Sequence, residues 1–169
     1  MTQMNDLDDE AALALDPSTI RVKRAMAFGT LAVGTLDALD AIVFLGLRGA
    51  TPIGIFQSIA SGLLGRAAYQ GGLATAMLGV AVHYFIAFLI VATAVIAARW
   101  VPRLADSPWA WGPVYGLIAY AVMNMVVLPM SSASFGPPSA IVVVNGLLIH
   151  ALGVGIPSAL TARAVWSGR

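Results

Sequence analysis

Cysteine is absent from this chain, which excludes disulfides, zinc–thiolate centres, iron–sulfur clusters and a thiol nucleophile. Charge is nearly as scarce. Only 10% of the 169 residues are Asp, Glu, Lys or Arg, against about 25% in an ordinary soluble domain. Of the eight acids, Asp6, Asp8, Asp9, Glu10 and Asp16 crowd the first sixteen residues, leaving Asp37, Asp40 and Asp106 for the rest. No GxSxG, HExxH or phosphate-loop motif is present, and Ser58, Ser61 and Ser158 stand outside any catalytic pattern, so no reaction is marked. Basic residues form no stripe away from the apolar segments, which argues against nucleic acid as a partner.

Apolar side chains are what the chain has in abundance. They make up 59% of it, more than a fold of this length can hide from water, so the lipid bilayer is the expected partner. Four apolar segments, 25–47, 73–98, 112–130 and 139–161, each reach the roughly 20 residues that a spanning helix needs. The short connections between them predict an all-α, integral membrane four-helix bundle of antiparallel neighbours. The expected division is an acidic tail over 1–20 and one transmembrane domain over 21–169.

Basic residues flank the segments unevenly. Arg21, Lys23, Arg24, Arg99, Arg103, Arg163 and Arg169 fall on one side, whereas Arg48 and Arg66 fall on the other. The positive-inside rule therefore predicts cytoplasmic N- and C-termini. Trp100, Trp109 and Trp111 sit on the same side as the larger cluster, where amphipathic rings favour the interface.

The stretch 51–72 is too short to cross. Thr51-Pro52 has the form of an N-cap followed by proline at the first helical position. Ile53, Phe56, Ile59, Ala60, Leu63 and Leu64 then recur at helical spacing, with Gly54, Gln57, Ser58, Ser61 and Gly62 on the other face. This predicts a short helix ending at Gly65-Arg66, either amphipathic on the outer surface or re-entrant.

Two aspartates in the middle of the first span carry the functional signal. An ionisable residue at the centre of a spanning helix costs about 2.5–3.5 kcal/mol on insertion scales. Each other span also carries polar groups beside small residues. Gly71, Thr75, Gly79, His83 and Ala87 are spaced by four, as are Gly112, Gly116, Tyr120 and Asn124, and Gly146 precedes His150 by four. Counting from the outer ends at about 1.5 Å per residue, Asp40, Asn124 and Asn145 form one predicted layer. Asp37, His83 and His150 lie close beneath it.

Two readings follow. In the first, Asp37, Asp40 and His83, with His150, Asn124 and Asn145 around them, form a proton- or cation-responsive site of transport or channel type, in a homo-oligomer or larger membrane complex that completes a pathway. In the second, the polar layer only fixes helix packing in a non-catalytic accessory or scaffold subunit. A haem held by His83 and His150 is a third, weaker option, since no other cofactor signature accompanies the pair.

The segments GTLDALDAIVF (34–44), IFQSIASGLLGRAAYQGGLATAMLG (55–79), HYFIAF (83–88) and YGLIAYAVMNMVVLP (115–129) resemble small bacterial membrane proteins of the YagU type. The resemblance covers most of 25–160 and implies a four-span fold in the inner membrane. It brings no established activity or catalytic residue.

Overall fold

The computed structural model describes residues 17–167. The acidic cluster ending at Asp16, and Arg169, lie outside the described residues. Helix α1 runs over Pro17–Gly46, α2 over Pro52–Leu64, α3 over Gly72–Ala97 and the single turn α4 over Arg103–Asp106. Helices α5, Pro108–Met130, and α6, Ala140–Trp166, complete the chain. Among the described residues there is no strand, and α1, α3, α5 and α6 are each long and apolar enough to cross a membrane. The chain is an all-α multi-pass membrane protein. The first helix starts earlier than the apolar run suggested, because Ser18–Arg24 continue the same backbone ladder without a break.

Helix α6 is the centre of the bundle, packing against α1, α3 and α5, while α1 also packs on α3 and α2 lies along α3. Small residues set how close the backbones come. A Cβ on Gly116 would strike the His150 carbonyl, and one on Gly155 would strike the Gly112 carbonyl, so α5 and α6 touch backbone to backbone. Other glycines meet rings or the backbone of α2. Gly34 lies under the Tyr84 ring, Gly146 under the Tyr120 ring, and Gly79 against the Phe56 carbonyl of α2. Spacing by four marks a close approach but not its partner.

The end of the bundle where Arg21 meets Ser167, the terminal end of the described residues, is sealed. Ala94, Ala98, Leu104, Ala105, Ala159 and Ala162 form its core, with Trp111, Tyr115 and Trp166 packed around them. Trp166 donates its indole N–H to the Val95 carbonyl at 2.9 Å, and Tyr115 donates to the Ile90 carbonyl at 2.5 Å. Val33, Ala87, Val91 and Val154 close the next layer.

Helix α2 begins as its sequence indicates, with Thr51 Oγ1 accepting from the Gly54 N–H at 3.1 Å. It ends at Gly65, whose φ of 58° suits a residue without Cβ. Its buried face is mixed: Ile55, Gln57, Ala60 and Ser61 are buried, whereas Ile53, Leu63 and Leu64 are exposed. Gln57 donates to the Gly72 carbonyl at 2.9 Å, which satisfies its amide against α3. The contact between Phe56 and Gly79 lies seven residues along α3 from Gly72, about 10 Å by helical rise.

Candidate functional site

Helices α3 and α5 share hydrogen bonds at Ile90, Thr93 and Tyr115. On the side away from the termini a cavity of about 380 Å³ separates them. Its floor is Val33, Ala87, Ile90 and Val154, and its roof is Ser58, Ile59, Gly62 and Leu63 of α2 with Ser131, Ala133 and Phe135 of the α5–α6 connection. The roof is tied together where the Ser132 N–H donates to the Gly62 carbonyl at 2.8 Å.

Asp37, His83, Asn124 and His150 all line this cavity. Asp40 and Asn145 do not. Asn145 donates its amide to Asp40 Oδ2 at 2.7 Å, joining α6 to α1 beside the cavity. The expected outer layer thus divides. Asp40 and Asn145 pair with each other, while Asn124 turns to the cavity and donates to the Tyr120 carbonyl of its own helix at 2.9 Å. The two aspartates are three residues apart, about 60° around the helix and about 4.5 Å along it, enough for one to find a partner on α6 and the other the cavity.

Both imidazoles are fixed by backbone carbonyls. His83 Nε2 lies 2.8 Å from the Gly34 carbonyl, and His150 Nδ1 lies 3.0 Å from the Gly146 carbonyl. A carbonyl only accepts, so each of these nitrogens carries the proton. In the neutral ring that leaves His83 Nδ1 and His150 Nε2 as basic lone pairs. Ring contacts hold the planes: Tyr84 stands edge-on to His83 at 5.5 Å and Tyr120 edge-on to His150 at 5.2 Å. Haem ligation through His83 Nε2 would have to break the bond to Gly34. Among the described residues, no three His, Asp or Glu side chains are grouped to hold a metal ion.

Asp37 is different from every other polar group here. Its carboxylate takes part in no hydrogen bond with the described residues, yet it is within electrostatic reach of His150, His83 and Asp40. It is half-buried on the cavity wall.

Local helix distortions place two of these side chains. A π turn occupies Met123–Val127 in α5 and another His150–Gly155 in α6. Each precedes a proline, Pro129 and Pro157, whose ring lacks an N–H and crowds the carbonyl four residues back, at Met125 and Gly153. Widening the turn relieves that clash and re-aims Asn124 and His150. The prolines inside the two apolar runs were the available signal for these turns, and periodicity alone passes over them. Ser58, Gly62 and Ser131 were likewise not distinguishable as cavity-lining from spacing.

The chain matches no family model, no curated protein and no solved structure.

Proposed function

We propose that this is a bacterial inner-membrane protein with cytoplasmic termini, akin to the YagU-type family, whose cavity is a proton- or cation-responsive site built on Asp37, His83 and His150. The orientation is supported by charge. Among the described residues, Arg21, Lys23, Arg24, Arg99, Arg103 and Arg163 stand at the sealed end, and Arg48 and Arg66 at the other.

One observation carries the functional reading: the Asp37 carboxylate lines a cavity and makes no hydrogen bond with the described residues, while Asp40, three residues away, is paired. A structural hydrogen-bonding role fits Asp40 and Asn145. It does not fit Asp37, for which an asparagine or leucine would cost less in this setting. A group left unpaired against free volume is available to a proton or a cation. Two imidazoles nearby each keep one lone pair, so the cavity holds three proton-accepting positions on three helices.

The test is thermal stability in detergent as a function of pH and sodium concentration. The wild type is expected to shift its midpoint across the series, Asp37→Asn to flatten that response, and Asp40→Asn to retain it. His83→Gln should displace the pH at which the response occurs, because an imidazole has been removed from beside Asp37. Superimposable profiles for wild type and Asp37→Asn would leave the packing role as the better account.

A further inference from the structure

The cavity walls and the state of the histidines point to a specific class of occupant. We propose that the cavity binds a lipophilic organic cation, an ammonium or phosphonium carrying apolar substituents, which enters from the bilayer between α2 and α5. This rests on Asp37 being the responsive group and adds what it responds to.

Size and lining come first. A volume of about 380 Å³ lies in the range of small-molecule sites, which span about 300–1,000 Å³. Val33, Ile59, Val82, Ile86, Val127 and Val154 make its walls mostly apolar. Calcium and magnesium take about six or more oxygen ligands, and the side-chain oxygens of this lining are few: Asp37, Asn124, Ser58 and Ser131. A lipophilic cation needs only one counter-charge, and gains the rest from contact with the walls.

The sign of the charge follows from the lining. Asp37 supplies a carboxylate, and no Lys or Arg lines the cavity. His83 and His150 have each committed one N–H to the Gly34 and Gly146 carbonyls, so those donors are not free for a ligand. An anion would therefore meet the Asp37 carboxylate with no Lys or Arg to offset it.

The mouth is apolar as well. Leu63 is 61% exposed and Phe135 53%, and with Val127 and Asn124 they mark where the cavity opens between α2, α5 and the connection after Met130. A water-soluble ligand gains nothing from such an entrance, whereas a membrane-dissolved one passes without leaving apolar surroundings.

Binding a cation at Asp37 competes with binding a proton there, so one leaves as the other arrives. The titratable groups facing Asp37 are Asp40 on its own helix, His83 on α3 and His150 on α6. The parts of α2 and α5 that line the cavity contribute none. Protonating either imidazole adds a positive charge, which acts in the same direction as protonating Asp37. Affinity for the cation should therefore fall as pH falls.

The experiment uses tetraphenylphosphonium and its charge-reversed counterpart of the same shape, tetraphenylborate, titrated into the detergent-solubilised full chain by calorimetry. Tetraphenylphosphonium is expected to bind saturably, and about ten-fold or more weakly to Asp37→Asn, the loss expected for a charge-assisted contact. Asp40→Asn should lose much less, because that carboxylate is held by Asn145 and does not line the cavity. Gly62→Leu should also weaken binding by filling the cavity, because a Cβ there meets only Ser131, at 3.7 Å. Equal binding by Asp37→Asn, or binding of tetraphenylborate as tight as that of the cation, would overturn the proposal. A pH response that depends on Asp37 without any tetraphenylphosphonium binding overturns the occupant and leaves the titrating site standing. Absence of both removes both.

Discussion

The two ends of this bundle use the same residue types for opposite purposes. At the terminal end, glycine and alanine bring backbones into contact, with Ala94, Ala159 and Ala162 fully buried and Gly112, Gly116 and Gly155 at the α5–α6 crossing. At the loop end, Gly34 and Gly146 instead receive the rings of Tyr84 and Tyr120, and those rings steady His83 and His150 beside a cavity. Small residues close the α5–α6 crossing in one half and make room for rings beside the cavity in the other, where Gly79, unlike Gly34 and Gly146, meets a backbone, the Phe56 carbonyl of α2. The difference lies in what the glycine touches, since a backbone cannot move aside and a ring can.

The largest expected effect breaks the sealed half. Gly155→Ala would drive a methyl group into the Gly112 carbonyl, and neither helix can yield locally. The loss should reach or exceed the upper end of the about 1–3 kcal/mol typical of overpacking, seen as low folded yield and a depressed thermal midpoint in detergent. Gly146→Ala meets only the edge of Tyr120. The ring can rotate away, and alanine is the better helix former by about 1 kcal/mol, so stability should change little. Equal losses at both positions would erase the distinction between the two ends.

Much of this architecture was legible in the sequence for a simple reason: lipid imposes length and polarity on each span, and both can be counted. The four spans, the Thr51 cap and the stop at Gly65 follow from local chemistry. Directions around a helix do not. Asp37 and Asp40 differ by a fraction of a turn, and only the position of Asn145 on another helix decides which of them is paired. The buried side of α2 is hidden for a related reason: Gln57 bonds the Gly72 carbonyl inside the protein beside buried Ile55 and Ala60, while Leu63 is exposed. The π turns at Met123–Val127 and His150–Gly155 carry no periodic signature, because a single widened turn shifts phase without changing composition.

The pair beside the cavity offers a middle-sized test. Asp40→Leu leaves the Asn145 amide without its acceptor, and Asn145→Leu leaves the carboxylate without its donor. Each single change should destabilise, and the double change should recover much of the loss. A coupling of about 1–2 kcal/mol is expected, above the average of about 0.6 kcal/mol for contacts within membranes because the acceptor is a carboxylate. Chemical denaturation in mixed micelles would measure it. Strict additivity would mean that the two groups do not depend on each other and that the loop end lacks this tie between α1 and α6.

The smallest effect concerns a flaw in the sealed half. Thr30 Oγ1 is the buried side-chain atom among the described residues that has no hydrogen-bond partner. Its neighbour Gly29 lies against Thr161, whose own hydroxyl donates to the Pro157 carbonyl at 2.8 Å. The same residue type is thus satisfied on α6 and unsatisfied on α1. Exchanging hydroxyl for methyl at Thr30 keeps shape and β-branching, and removes a buried group that gains nothing from its burial. Thr30→Val should raise the thermal midpoint by the equivalent of about 0.5–1 kcal/mol, while Thr161→Val should lower it by a similar amount. The pH response ascribed to Asp37 should be untouched by either, because both sites lie below the floor formed by Val33 and Val154. A destabilising Thr30→Val would reveal a partner for the hydroxyl, and water reaching that depth would mean that the terminal end is not dry. The unpaired carboxylate of Asp37 and the unpaired hydroxyl of Thr30 would then be two parts of one wet path, and the contrast between the halves would become a gradient.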